Sequence, residues 1–128
     1  MDWNSIALTA AGVIGGGTAV IHGVVMQRII IRPIEADFAA NGRISGTLQK
    51  LIALLLHVST FNWLLSGIAL IAAAIWFEQD VRLVVGLLAG SSFLYGAIIA
   101  FWSIRRAHPG GILMSAACIL IVLGLTAG

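Results

Sequence analysis

The chain has 128 residues, 60% of them hydrophobic and only 9% charged, with a mean hydropathy of +1.07. An ordinary soluble domain carries about a quarter charged residues, so this composition excludes one. The net charge of +2 comes with no basic run and no aromatic interleaving, which gives nucleic-acid binding no support, and the single cysteine, Cys118, can form neither an internal disulfide nor a thiolate metal site alone.

The first apolar run covers 5–31. It lacks the basic start of a secretory signal, since Met1-Asp2-Trp3-Asn4 stands there, and it outlasts a signal-peptide core. A retained transmembrane helix is predicted. Gly12 and Gly16 make a GxxxG spacing within a glycine-rich stretch, read as close packing inside the chain rather than a dimer face. Arg28 and Arg32 close the run and Pro33 follows. The 33–42 segment has proline at the first helical position, Glu35 and Asp37 in the first turn, and Asn41-Gly42 as a stop signal. With Ile34 and Phe38 on one face, it is predicted to be a short interfacial helix lying on the bilayer surface.

The second helix is predicted over 47–77 and the third over 81–104, closed by Arg105-Arg106. After the turn at His108-Pro109-Gly110-Gly111, a fourth helix covers 109–127. At about 1.5 Å per residue it barely crosses a hydrocarbon core of about 30 Å. The expected fold is one all-α integral membrane domain, an antiparallel bundle of four transmembrane helices with the interfacial helix between helices 1 and 2. Six of the seven basic residues (Arg28, Arg32, Arg43, Lys50, Arg105 and Arg106) fall on one side, and only Arg82 on the other. The positive-inside rule then places both termini in the periplasm of a bacterium and the chain in its inner membrane.

Ionisable side chains at membrane depth are costly and mark candidate sites. His22 stands about 9 Å inward from Arg28, and His57 about 10 Å inward from Lys50 on the neighbouring helix. His108 opens the fourth helix on the same side. Level imidazoles on adjacent helices are what bis-histidine haem ligation or a small metal site needs, and bundle cores are where such sites are built. Met26, four after His22, and Thr60, three after His57, share their faces. Arg32, Tyr95 and Trp102 are further polar cavity candidates, Tyr95 and Trp102 lying on a stripe with Ser91. No carboxylate shares this depth, and no nucleophile is matched to a base, so catalysis by the chain itself is not expected.

His22-Gly23, Arg32-Pro33, His57 with Trp63 and Gly67 behind it, and Arg105-Arg106-Ala107-His108-Pro109 follow one another along nearly the whole chain. In this order they resemble a diffuse family of small bacterial four-helix membrane proteins. Its pattern is a first-helix histidine, an Arg-Pro at that helix's end, a Trp-His in the second helix and an Arg-His-Pro-x-Trp turn. The chain departs from the pattern at Leu56 and at Gly111, where the family has tryptophan. The resemblance implies a fold and site positions but no reaction.

The leading functional expectation is binding of haem b or a metal ion through His22 and His57, with His108 as a third or gating group. The competing expectation is a structural or lipid-binding subunit of a larger membrane complex, in which the same histidines only tie helices together. A third is a small oligomeric transporter. The lipid bilayer is the expected partner in every case, with a homo-oligomer or a larger complex beside it.

Overall fold

A computed structural model describes residues 1–127, and among these the regular structure is entirely helical. Helix α1 spans Trp3–Val25 and starts at Asp2, whose carboxylate accepts the Ser5 amide at 2.9 Å. A π-helical turn, Met26–Ile31, leads directly into α2, Arg32–Asn41, which ends at Gly42 in the left-handed conformation (φ 60°). The 33–42 segment is therefore not a separate helix. It continues the first, giving 39 uninterrupted helical residues from Trp3 to Asn41.

The register change at Met26 explains how. Pro33 donates no amide hydrogen, and its ring would clash with a carbonyl one α-helical turn back. In the wider turn before it the Arg32 amide reaches the Gln27 carbonyl, an i→i+5 bond, which opens the helix where the proline needs room. Ile34 and Phe38 are half-buried and face Gln49, Ile52, Ala53 and Leu56 of the next helix across a gap of about 10 Å³. The apolar pair expected to hold a surface helix is turned towards this protein's own chain instead.

Helix α3, Gly46–Trp76, is capped by Ser45, whose hydroxyl accepts the Leu48 amide at 3.3 Å. Helix α4, Gln79–Ile104, ends at Arg105, a left-handed residue with φ 50°. Helix α5, Pro109–Thr126, starts with proline at its first turn, where a missing amide hydrogen costs nothing. These boundaries differ from the predicted 47–77, 81–104 and 109–127 by one or two residues. Four helices are long and apolar enough to cross a membrane, with mean hydropathy of 1.6 to 2.0 over their most apolar stretches. Their outward faces are apolar as well: Leu54, Phe61 and Leu88 are each more than two-thirds exposed.

Helix α1 packs against α3 and α5, and α4 packs against the same two, so α1 and α4 are diagonal. The α1–α3 seam is held by backbone proximity. A Cβ on Gly67 would lie 2.6 Å from the Gly12 carbonyl oxygen and 2.8 Å from the Gly16 nitrogen, so the GxxxG spacing of α1 is used within the chain. Across the diagonal, Phe93 of α4 fills the space over Gly15, and no side-chain atom fits between them. Phe93, Leu8, Leu70 and Met114 form the buried centre, surrounded by Ala11, Ala89, Ala97 and Ala117. Small residues at these positions let the four backbones approach closely, where dispersion contacts accumulate.

The end opposite the basic loops is closed by Arg82. Its Nε donates to the carbonyls of Ala73 (3.3 Å) and Phe77 (2.9 Å), and its Nη2 donates to that of Ala74 (2.9 Å). These oxygens lie in the last turn of α3 and at its cap residue; the Phe77 amide also donates to the Ala73 carbonyl, while the carbonyls of Ala74 and Phe77 lie past the last intrahelical amides. The Asp2 carboxylate stands 3.9 Å from the same guanidinium. The one basic residue on this side is thus committed to capping a helix.

Candidate functional site

His22 and His57 both lie on the α1–α3 seam, but they do not pair with each other. His22 Nδ1 is 2.9 Å from Thr60 Oγ1, and His57 Nε2 donates to Gln27 Oε1 at 3.0 Å. Each helix therefore supplies one imidazole and one partner, a crossed pair of interhelical hydrogen bonds. Gln27 was absent from the sequence reading because residues five apart lie about 140° round an ideal α-helix. The wider register that begins at Met26 reduces this offset and brings Gln27 back towards α3. Thr60 was expected as a neighbour of His57; it serves His22 instead, and Gly23 makes room for it on α1.

His22 also meets Trp63 edge to face, with ring centroids 4.8 Å apart and planes at 65°. Trp63 in turn packs against Gly96 of α4, where a Cβ would fall 2.4 Å from the indole. The His22–Trp63 pair forms one wall of a cleft of about 690 Å³ between α1, α4 and the start of α5. At the far end α5 closes onto α1, with Gly124 against Leu8. At the near end the facing positions are small (Gly96, Ala100, Gly110), and the helices leave space between them.

The cleft brings together His22, Met26 and His108 from the predicted set, with Ser103 and Trp63 added. His57 and Thr60 are not part of its lining. Arg32 is exposed, and Tyr95 and Trp102 are 69% and 73% exposed and do not line it, so the two aromatic cavity candidates face outward. The apolar residues of α4 left most room for a stripe on either face, and the sequence pattern alone did not separate the two. His108 caps α5 by accepting the Gly110 amide on Nδ1 at 3.2 Å, which leaves the hydrogen of the neutral ring on Nε2. The cleft thus carries hydrogen-bond donors at Ser103, Trp63 and His108, and no carboxylate. Among the described residues, no three histidine, cysteine or acidic side chains gather as a metal-binding group.

Two polar ties stand apart from the cleft. The Asn62 amide donates to Ser92 Oγ, joining α3 to α4, and the Cys118 thiol reaches the Gly90 carbonyl at 3.7 Å. Both link helices and face no cavity of note. Comparison with protein-family models, with curated proteins and with solved structures found no match for this chain. The chemistry of the site therefore rests on its own geometry.

Proposed function

We propose that this chain is a bacterial inner-membrane protein of four antiparallel spans that binds a lipid-like amphiphile in the cleft between α1, α4 and α5. The observation that carries this reading is the cleft itself. Its volume of about 690 Å³ lies within the usual range for small-molecule sites, and its walls are aliphatic apart from a few polar groups. The antiparallel arrangement is supported by the order of contacts: Gly12 meets Gly67 while Gly23 meets Thr60, and Gly86 meets Leu125 while Gly111 meets Phe101. Both histidine bonds on the α1–α3 seam hold the wall of the cleft, which gives His22 and His57 a structural role without a shared ligand.

Protein purified in mild detergent is expected to carry a co-purifying amphiphile, seen as an added mass by native mass spectrometry. Ala100→Trp, which fills the cleft from α4, should lose it. An unmodified mass for the wild type would end this reading. Orientation has its own test: a reporter fused after Gly128 should respond as periplasmic, because the basic residues collect at the other end.

One observation favours haem or a metal ion as a second reading. His22 lines the cleft while Thr60 engages its Nδ1, and ligating histidines are usually held in this way through their other nitrogen. His22 would then ligate from the cleft with His108 near it, and His57 only through a rearrangement that gives up Gln27. An absorption spectrum with a Soret band, or stoichiometric metal, would select this reading over the lipid one.

A further inference from the structure

The cleft reaches the end of the bundle where the basic residues lie, and its rim there is the 104–109 loop. Ile104, at the end of α4, and His108 and Pro109, at the start of α5, belong to the lining; Arg105 and Arg106 are not lining residues themselves but occupy the short connection between these positions. Both are exposed, and among the described residues the one ion pair is that of Arg82 with Asp2 at the opposite end. No acidic side chain lines the cleft. Ser103, the indole of Trp63 and His108 offer hydrogens to an occupant, and none of them carries a negative charge. The lining runs from Thr18 to Ile30 along α1 and the π-helical turn that follows it, roughly 18 Å at about 1.5 Å per residue, so the cleft is long in the direction of the helices.

Resting on the lipid-binding reading above, we infer that the occupant is an anionic phospholipid. One of its acyl chains lies against Ile21, Val25, Ile99 and Leu113, and its phosphate meets Arg105, Arg106 and the Nε2–H of His108. Three features of the occupant follow from the site. A long apolar slot takes a chain, and hydrogens from a hydroxyl, an indole and an imidazole suit ester and phosphate oxygens. Two guanidiniums close in sequence to lining residues, which form no ion pair among the described residues, suit a net negative head group. Basic pockets between membrane helices are a known way of holding such head groups. Arg105 itself is in the left-handed conformation that ends α4 and turns the chain back towards α5.

The test compares dioleoyl phosphatidylglycerol with dioleoyl phosphatidylethanolamine, added separately to delipidated protein and read by native mass spectrometry. Each arginine near an anionic head group contributes about five-fold in affinity, so phosphatidylglycerol should bind about thirty-fold more tightly. Arg105→Gln with Arg106→Gln should bring the two lipids towards parity, because phosphatidylglycerol loses far more than phosphatidylethanolamine, whose ammonium already offsets its phosphate. Arg106→Gln alone, which leaves the α4 cap in place, should lose about five-fold for phosphatidylglycerol only. Equal binding of the two lipids by the wild type would overturn the inference, as would a preference that survives the double substitution. Displacement of phosphatidylglycerol by excess inorganic phosphate would also overturn it, since the head group alone would then account for binding. Lipid binding of either kind that survives Ala100→Trp would instead refute the cleft as the binding site, a failure of the underlying reading rather than of the head-group assignment.

Discussion

Replacing Gly67 with alanine places a methyl carbon 2.6 Å from the Gly12 carbonyl oxygen and 2.9 Å from the Gly16 α-carbon. All the atoms it meets are backbone, so no side chain can rotate away, and the two helices must part. Restoring ordinary contact requires roughly 0.8 Å of separation along this part of the seam. Overpacking of this kind costs about 1–3 kcal/mol, and the rigid neighbours put Gly67→Ala in the upper part of that range. Alanine returns up to about 1 kcal/mol of helix propensity, which leaves a net loss of about 2 kcal/mol. Gly17→Ala is the matched control, because nothing lies within 4 Å of its added carbon; it should be neutral or stabilising by up to about 1 kcal/mol. Unfolding both variants in mixed micelles, followed by far-ultraviolet circular dichroism, reads the difference directly. Equal stability of Gly67→Ala and Gly17→Ala would refute the close α1–α3 approach and, with it, the geometry of the histidine seam.

Double-mutant cycles with leucine should find coupling of about 0.6 kcal/mol between His57 and Gln27 and additive effects between His22 and His57; strong coupling of the two histidines would point to a shared ligand instead. Arg82→Gln should cost about 1–3 kcal/mol in thermal unfolding in detergent, because three carbonyls at the end of α3 lose a charged donor, and an unchanged melting curve would remove this cap from the account. The Asp2 carboxyl is held below its ordinary value, first by the hydrogen bond from Ser5 and to a lesser degree by the nearby Arg82. A depressed folded-state value means the cap stabilises fully above the ordinary carboxylate range near pH 4 and is lost as the pH falls below it; in Asp2→Ala the corresponding part of the acid sensitivity should disappear.

The length and spacing of the apolar runs were legible from the chain because a membrane span needs about 20 apolar residues, and turn residues such as Gly42 and Pro109 mark where each run stops. That His22 and His57 stand at similar levels of adjacent helices followed from the same rise per residue. Their partners did not. Phase arguments assume a constant 100° per residue, and the π-turn at Met26 breaks that assumption, carrying the helix through Pro33 and turning Gln27 onto the His57 side. For the same reason the 33–42 segment read as a separate surface helix, although Ile34 and Phe38 meet α3. The cleft was out of reach for a different reason. It is made by what Gly96, Ala100 and Gly110 lack and by where α5 leaves α1, so only the relative placement of three helices creates it. The helices carry large apolar residues on exposed and buried faces alike. Hydrophobicity therefore marks which runs are long enough to span a membrane, while the fit of small residues against large ones decides which face is inside, because apolar character no longer distinguishes the two faces.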